Sequence, residues 1–133
     1  MYAAKPKGFL ESIDTCLLEK YFVFNGRASR SEYWYFMLAG FLLLLVAGLF
    51  GSMIGDPLQT NINFVLLATH LFLFIPSLSV EARRLHDIGR SAWWILLIFV
   101  PVIGWAVLLI FHCMPGKNER TQFDVPDLAA VAE

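Results

Sequence analysis

Seven charged residues of a chain otherwise poor in charge fall into two short segments. Arg27, Arg30 and Glu32 precede one apolar run, and Arg83, Arg84, Asp87 and Arg90 lie between two others. A guanidinium is a planar fork that matches a carboxylate or a phosphate with paired hydrogen bonds. Two chemistries therefore suit this set. One is a network of salt bridges and caps that fixes helix angles, with Glu32 and Asp87 as internal counter-charges. The other is a site for anionic phospholipid headgroups or a phosphate-bearing ligand, since each basic residue near an anionic leaflet gains ~1 kcal/mol. Within the second segment Arg83 and Asp87 are four residues apart and Glu81 and Arg84 three apart, so pairs along one helix are available.

His86 and Asp87 are the acid–base pair an enzyme would draw on, beside arginines able to hold a phosphate. Neighbours on a helix point ~100° apart, so the two do not converge unaided. No nucleophile accompanies them, nor the several carboxylates of a magnesium-dependent phosphotransferase. His70, His86 and His112 lack zinc spacing, Cys16 and Cys113 are far apart, and no glycine-rich phosphate loop occurs. The chain therefore reads as non-enzymatic, without a metal or cofactor. His70 stands alone as an ionisable side chain mid-run in apolar sequence, a position that marks function by default. The plainer role is a hydrogen bond to a neighbouring helix, since no intramembrane carboxylate is present to complete a proton relay.

What must position these residues is three apolar runs, 33–54, 62–80 and 92–113. Each matches the ~20 residues that cross ~30 Å of hydrocarbon as a helix. The composition agrees, with 58% hydrophobic and 16% charged residues. The predicted fold is all-α: a small integral membrane helical bundle of three transmembrane helices, plus an N-terminal amphipathic surface helix over 9–24. In the surface helix Phe9, Ile13, Cys16, Leu17 and Tyr21 recur at helical spacing. Residues 1–8 and 115–133 are tails around a membrane domain at 9–114. Asn25-Gly26 forms a turn; Ser29 and Glu32 form a capping box; Gly89 ends one helix and Ser91 caps the next. Tyr33, Trp34 and Tyr35, and later Trp93 and Trp94, mark the headgroup boundary. Pro76 frees the carbonyl of Phe72 and should kink the second span. Ala47, Gly51 and Gly55 offer a small-residue face for close helix approach, within or between subunits.

The ten Lys and Arg divide as five before the first run, none between the first and second, three between the second and third, and two in the tail. Positive charge stays inside, so the N-terminus and 81–91 are predicted to be cytoplasmic and 55–61 external. Three crossings then place the tail outside and the two cysteines, read as structural thiols, on opposite sides. Pro101 and Gly104, near the centre of the last run, open an alternative: a re-entrant hairpin that returns the tail to the cytoplasm. A crossing is favoured, because each half of a hairpin has only about ten residues and its turn would need protein cover. Residues 1–8 show no pattern of a removable signal peptide.

Phe24-Asn25-Gly26-Arg27-Ala28-Ser29-Arg30-Ser31-Glu32-Tyr33-Trp34 and Arg83-Arg84-Leu85-His86-Asp87-Ile88-Gly89-Arg90-Ser91-Ala92-Trp93-Trp94 resemble two signatures of a bacterial inner-membrane family catalogued as domain of unknown function 805. Pro101, Gly104 and Pro115-Gly116-Lys117-Asn118 are similar to that family too, and the resemblance covers about residues 10–125. The chain departs from it at Thr121-Gln122-Phe123-Asp124, where a longer glycine-rich turn closing in Asn-x-Phe/Tyr-Gly is common. The resemblance implies a multi-pass protein of the cytoplasmic membrane and brings no activity, substrate or cofactor. The expected role is structural, regulatory or associated with anionic phospholipid. The alternative is an oligomeric transporter or channel for an apolar or amphipathic solute. Expected partners are the lipid bilayer and a second copy or another membrane protein, not nucleic acid.

Overall fold

The computed structural model describes residues 4–53, 58–119 and 122, and among these every regular element is helical. Helix α1 (Phe9–Asp14) runs straight into one π-helical turn (Thr15–Glu19). Helices α2 (Arg30–Met53) and α3 (Leu58–Asp87) follow, then a 3-10 arm (Ala92–Phe99) and α4 (Ile103–Cys113). Helices α2 and α3 are long and apolar enough to span a membrane, and only 11% of the most apolar stretch of each is buried within the chain. A core helix of a soluble protein would be largely covered, so these two are built to face lipid. With the shorter apolar α4, they fit the expected set of membrane helices.

The surface helix is shorter than 9–24 because Lys20 leaves helical geometry (φ −128°) and turns its N–H back to the Thr15 carbonyl at 2.8 Å. Its innermost residues are Ser12, Thr15 and Cys16, while Leu10 and Leu18 stay exposed. The face that packs inward is thus small and mostly polar, because what it meets is polar: Lys7, Glu32 and Arg83.

Pro76 does free the carbonyl of Phe72, and the Tyr21 hydroxyl donates to it at 2.5 Å. One turn further on, the Ser79 hydroxyl reaches the carbonyls of Lys20 (3.0 Å) and Val23 (2.6 Å). The defect that proline makes in α3 is therefore the dock for the end of the surface helix. Around it Cys16, Ala28, Phe36 and Val80 form the apolar core, flanked by Leu17, Tyr33, Met37 and Leu73. Elsewhere in α3, Thr69 and Ser77 bond the carbonyls of Val65 and Leu73, one turn back in their own helix. Gly51 is buried in α2, whereas Gly55 lies outside the described residues, so the small-residue face is described only in part.

The third apolar run corrects the expectation of one helix over 92–113. Ser91 caps it as predicted, accepting from the Trp93 N–H, but the helix is of the 3-10 type and stops at Phe99. Pro101, Val102 and Ile103 then make a γ-turn, closed by Ile103 N–H to the Pro101 carbonyl at 2.8 Å, with Val102 at φ +66°, ψ −68°. Helix α4 folds back along the 3-10 arm. The Trp105 indole donates to the Ile98 carbonyl at 2.9 Å, and Trp94 and Phe111 meet edge to face at 5.5 Å. Gly104 makes this return possible: a Cβ there would lie 1.9 Å from the Leu97 carbonyl oxygen. Eight residues at ~2.0 Å and eleven at ~1.5 Å both give arms of ~16 Å, about half a hydrocarbon core. The hairpin therefore ends where it began, at the C-terminal end of α3.

Candidate functional site

At that end of the bundle the two charged segments meet, and the N-terminal arm and the tail join them. Ser29 caps α2, accepting from the Glu32 N–H at 3.2 Å. The Glu32 carboxylate is turned inward, where Arg83 binds it in a fully buried ion pair and Lys7 Nζ stands 3.7 Å from its second oxygen. Lys7 Nζ also donates to Thr15 Oγ1 at 2.7 Å. Cys16 completes this layer, with its sulfur 3.7 Å from Arg83 Nη2 and 3.9 Å from Glu32 Oε1. Burial, reinforced by the Glu32 charge, pushes the Cys16 thiol up to about 11, against the opposing pull of Arg83. That is the chemistry of an inert structural thiol.

The second layer is built on Arg84, which is fully buried. Its Nη1 binds Asp87 Oδ2 at 2.6 Å, its Nε reaches the His112 carbonyl at 3.3 Å, and its Nη2 serves the carbonyls of His112 and Met114. These carbonyls end α4, so one guanidinium satisfies acceptors that a helix C-terminus leaves open. Asp87 Oδ1 takes the Ala4 N–H at 3.0 Å and has Arg27 Nη1 at 3.8 Å. Arg27 goes on to the carbonyls of Lys117 (2.7 Å) and Glu119 (2.6 Å), and the Lys117 N–H donates to the Asp87 carbonyl at 2.8 Å. Gly116 packs so tightly that a Cβ would lie 2.1 Å from Asp87 Oδ2.

The structure thus brings together Arg27, Glu32, Arg83, Arg84 and Asp87. The pairing differs from that available along one helix. Arg83 goes to Glu32 of α2 rather than Asp87, and Glu81 has His112 Nε2 of α4 3.8 Å away rather than Arg84, a contact that is an ion pair only with His112 protonated. Arg30 and Arg90 stay exposed. Arg90 holds its guanidinium over the rings of Trp94 (5.2 Å) and Phe111 (5.4 Å), a cation–π contact at the mouth of the hairpin. Gly89 ends α3 as predicted, at φ +73°, with Arg90 N–H to Leu85 O and Gly89 N–H to His86 O.

His86 and Asp87 do not converge. His86 Nδ1 lies 3.3 Å from the Gly26 carbonyl, where it secures the Asn25-Gly26 turn, while Asp87 faces the arginines and the N-terminal arm. His70 bonds the Leu66 carbonyl of its own helix at 2.9 Å instead of a neighbouring helix, and it lines an apolar groove between α2 and α3. Among the described residues no three His, Cys, Asp or Glu side chains lie close enough to hold a metal ion. Cys16 and Cys113 are both free thiols and lie at the same end of the bundle, since α4 returns there.

Sequence reasoning missed three contributors: Lys7, the Glu81–His112 pair, and the tail. His112 stacks on Tyr33 with centroids 4.2 Å apart and planes 7° apart. None of these contacts has a sequence spacing that would reveal it. The nearest signal was Pro115-Gly116, which marks a turn but not what it packs against.

The family model described as Protein of unknown function (DUF805) matches residues 21–125. The inner membrane protein YhaI of Escherichia coli strain K12 is 40% identical over 107 residues, covering 80% of this chain and 87% of that protein. The inner membrane protein YhaH of the same strain is 37% identical over 107 residues, covering 80% and 88%. No solved structure matches the chain.

Proposed function

The chain belongs to the DUF805 family, and on that premise we propose that it is a non-enzymatic, multi-pass inner-membrane protein with a structural or regulatory role at the anionic cytoplasmic leaflet. One observation carries the reading: Arg83 and Arg84 are buried in contacts that fasten the surface helix, α2 and the end of α4 to α3, and so act as framework. The cations left at the surface, among them Arg30 and Arg90, then form a fixed rim at headgroup depth. The proposed topology is two crossings, α2 and α3, with the hairpin entering and leaving the cytoplasmic leaflet. All ten Lys and Arg then lie on one side, which suits the positive-inside rule better than a translocated tail would.

The test is thermal stability of the purified protein in nanodiscs of phosphatidylglycerol and of phosphatidylcholine. Tm should be higher in the anionic lipid, and the difference should shrink with salt, because exposed charge is screened over ~10 Å at 0.1 M. Equal Tm in both lipids overturns the reading.

A further inference from the structure

Beneath the rim is an open cavity of about 420 Å³, lined by the N-terminal arm (Ala4, Lys5, Pro6), the start of α2 (Ser29, Arg30, Ser31), Asp87 and the tail residues Pro115 and Gly116. That volume lies within the ~300–1,000 Å³ of small-ligand sites. We propose that this cavity binds a phosphate group, belonging either to a lipid headgroup or to a free phosphate, through Arg30, Lys5 and the hydroxyl pair Ser29–Ser31.

Charge comes first. Asp87 on the cavity wall is already matched, with Arg84 on one oxygen and the Ala4 N–H and Arg27 on the other. Lys5 and Arg30 therefore set the sign inside. Hydrogen bonding points the same way. Ser29 Oγ accepts the Glu32 N–H at 3.2 Å, Ser31 Oγ accepts the Lys7 N–H at 2.7 Å, and the two oxygens are 3.1 Å apart. Only one of the two hydroxyl protons can lie between them. The other, on the buried Ser29 or on the half-buried Ser31, has no acceptor among the described residues. A hydroxyl donor left over on the wall of a cationic cavity fits an oxyanion. The cavity also depends on the hairpin, because its floor at Pro115 and Gly116 exists only where α4 returns the tail.

The proposal deepens the reading of a cationic cytoplasmic rim and rests on it. The test uses the full chain in neutral detergent, with thermal shift followed against inorganic phosphate and, separately, short-chain phosphatidylglycerol. The variants are a double Lys5→Gln, Arg30→Gln and, as a control outside the cavity, Arg90→Gln. Both changes in the double variant are at the surface, so its Tm without additive should match the parent.

The parent and Arg90→Gln should be stabilised by at least one probe, and the double variant should need about tenfold more of it or fail to respond. A response to both probes identifies a phosphate site as such; a response to the lipid alone identifies a headgroup site. No response of the parent to either probe overturns the proposal. So does an equal response of the double variant. If phosphatidylglycerol nanodiscs still stabilise parent and double variant alike, the leaflet reading stands without the cavity; if they stabilise neither, the leaflet reading falls as well.

Discussion

Arg84 shows how a single side chain can organise a membrane protein's polar end. It has five N–H donors in a rigid fork, and here they reach a carboxylate and two helix-terminal carbonyls at once. Removing it leaves Asp87 buried with one partner fewer and exposes the end of α4 to an unfavourable interior. Arg84→Ala should therefore cost ~3–5 kcal/mol, the range for breaking a buried pair by deleting one partner. Arg84→Lys should recover only part, because a point charge on a flexible stem reaches Asp87 or the carbonyls but not both. Thermal unfolding in detergent ranks the three proteins. A lysine variant as stable as the parent would mean that charge alone matters and that the fork to His112 and Met114 carries no weight. The same residue shows the limit of local reading. Arg84 and Asp87 are visible in the sequence as a candidate pair, yet nothing near them announces that the third partner arrives from thirty positions further on.

The element whose structure departs most from its sequence pattern is the third apolar run. Its length and composition suit one crossing helix, and the Gly89 turn and the Ser91 cap at its start are where the sequence puts them. What the pattern underweights is backbone geometry at three neighbouring residues. A β-branched residue at positive φ is rare enough that no sequence rule would place Val102 at the centre of a strained γ-turn. Gly104 reads as a weak spot in a helix, whereas the structure uses it for contact with the Leu97 carbonyl. The two readings make opposite predictions. In a continuous helix Gly104→Ala would stabilise and Val102→Gly would destabilise, each by ~0.5–1 kcal/mol. In the hairpin Gly104→Ala must displace backbone and should cost ~1–3 kcal/mol, while Val102→Gly relieves ~1–3 kcal/mol of strain at an exposed site and should be neutral or stabilising. Tm values for the two variants in one detergent give the answer by sign, and the helical order of effects would rule out the hairpin. Elsewhere the sequence was a good guide to elements. The serine half of the Ser29–Glu32 capping box, the Ser91 cap, the Gly26 and Gly89 turns and the carbonyl freed by Pro76 all occur, because each depends on chemistry within a few residues, whereas the Glu32 carboxylate is drawn off to Arg83. The surface helix and the tail were less legible, since their ends are fixed by distant partners such as Ser79 and Arg27.

At the scale of the whole molecule, the N-terminal arm and the start of the tail converge on one residue, Asp87. The Ala4 N–H and the Lys117 N–H each bond Asp87, one through its side chain and one through its main chain. Whatever side of the membrane holds Asp87 holds both segments. Helices α2 and α3 have ~36 Å and ~45 Å of length at 1.5 Å per residue, enough to cross ~30 Å; the hairpin arms, at ~16 Å, are not. The cost of the hairpin is its tip, where irregular backbone needs protein cover or a local defect in the lipid. Against that stands the transfer of Lys117 and of the polar tail, which a third crossing requires and the hairpin avoids. An Asn118→Cys variant, in a background lacking Cys16 and Cys113, separates the two. Asn118 is exposed, so a thiol there is accessible on whichever side it lies. In intact spheroplasts a membrane-impermeant maleimide should leave it unlabelled, and opening the membrane should allow full reaction. Prompt labelling of intact spheroplasts would place the tail outside. The contacts of Arg27, Arg84 and Asp87 with the tail could then not form in the membrane, and the cavity that those contacts frame would not exist there.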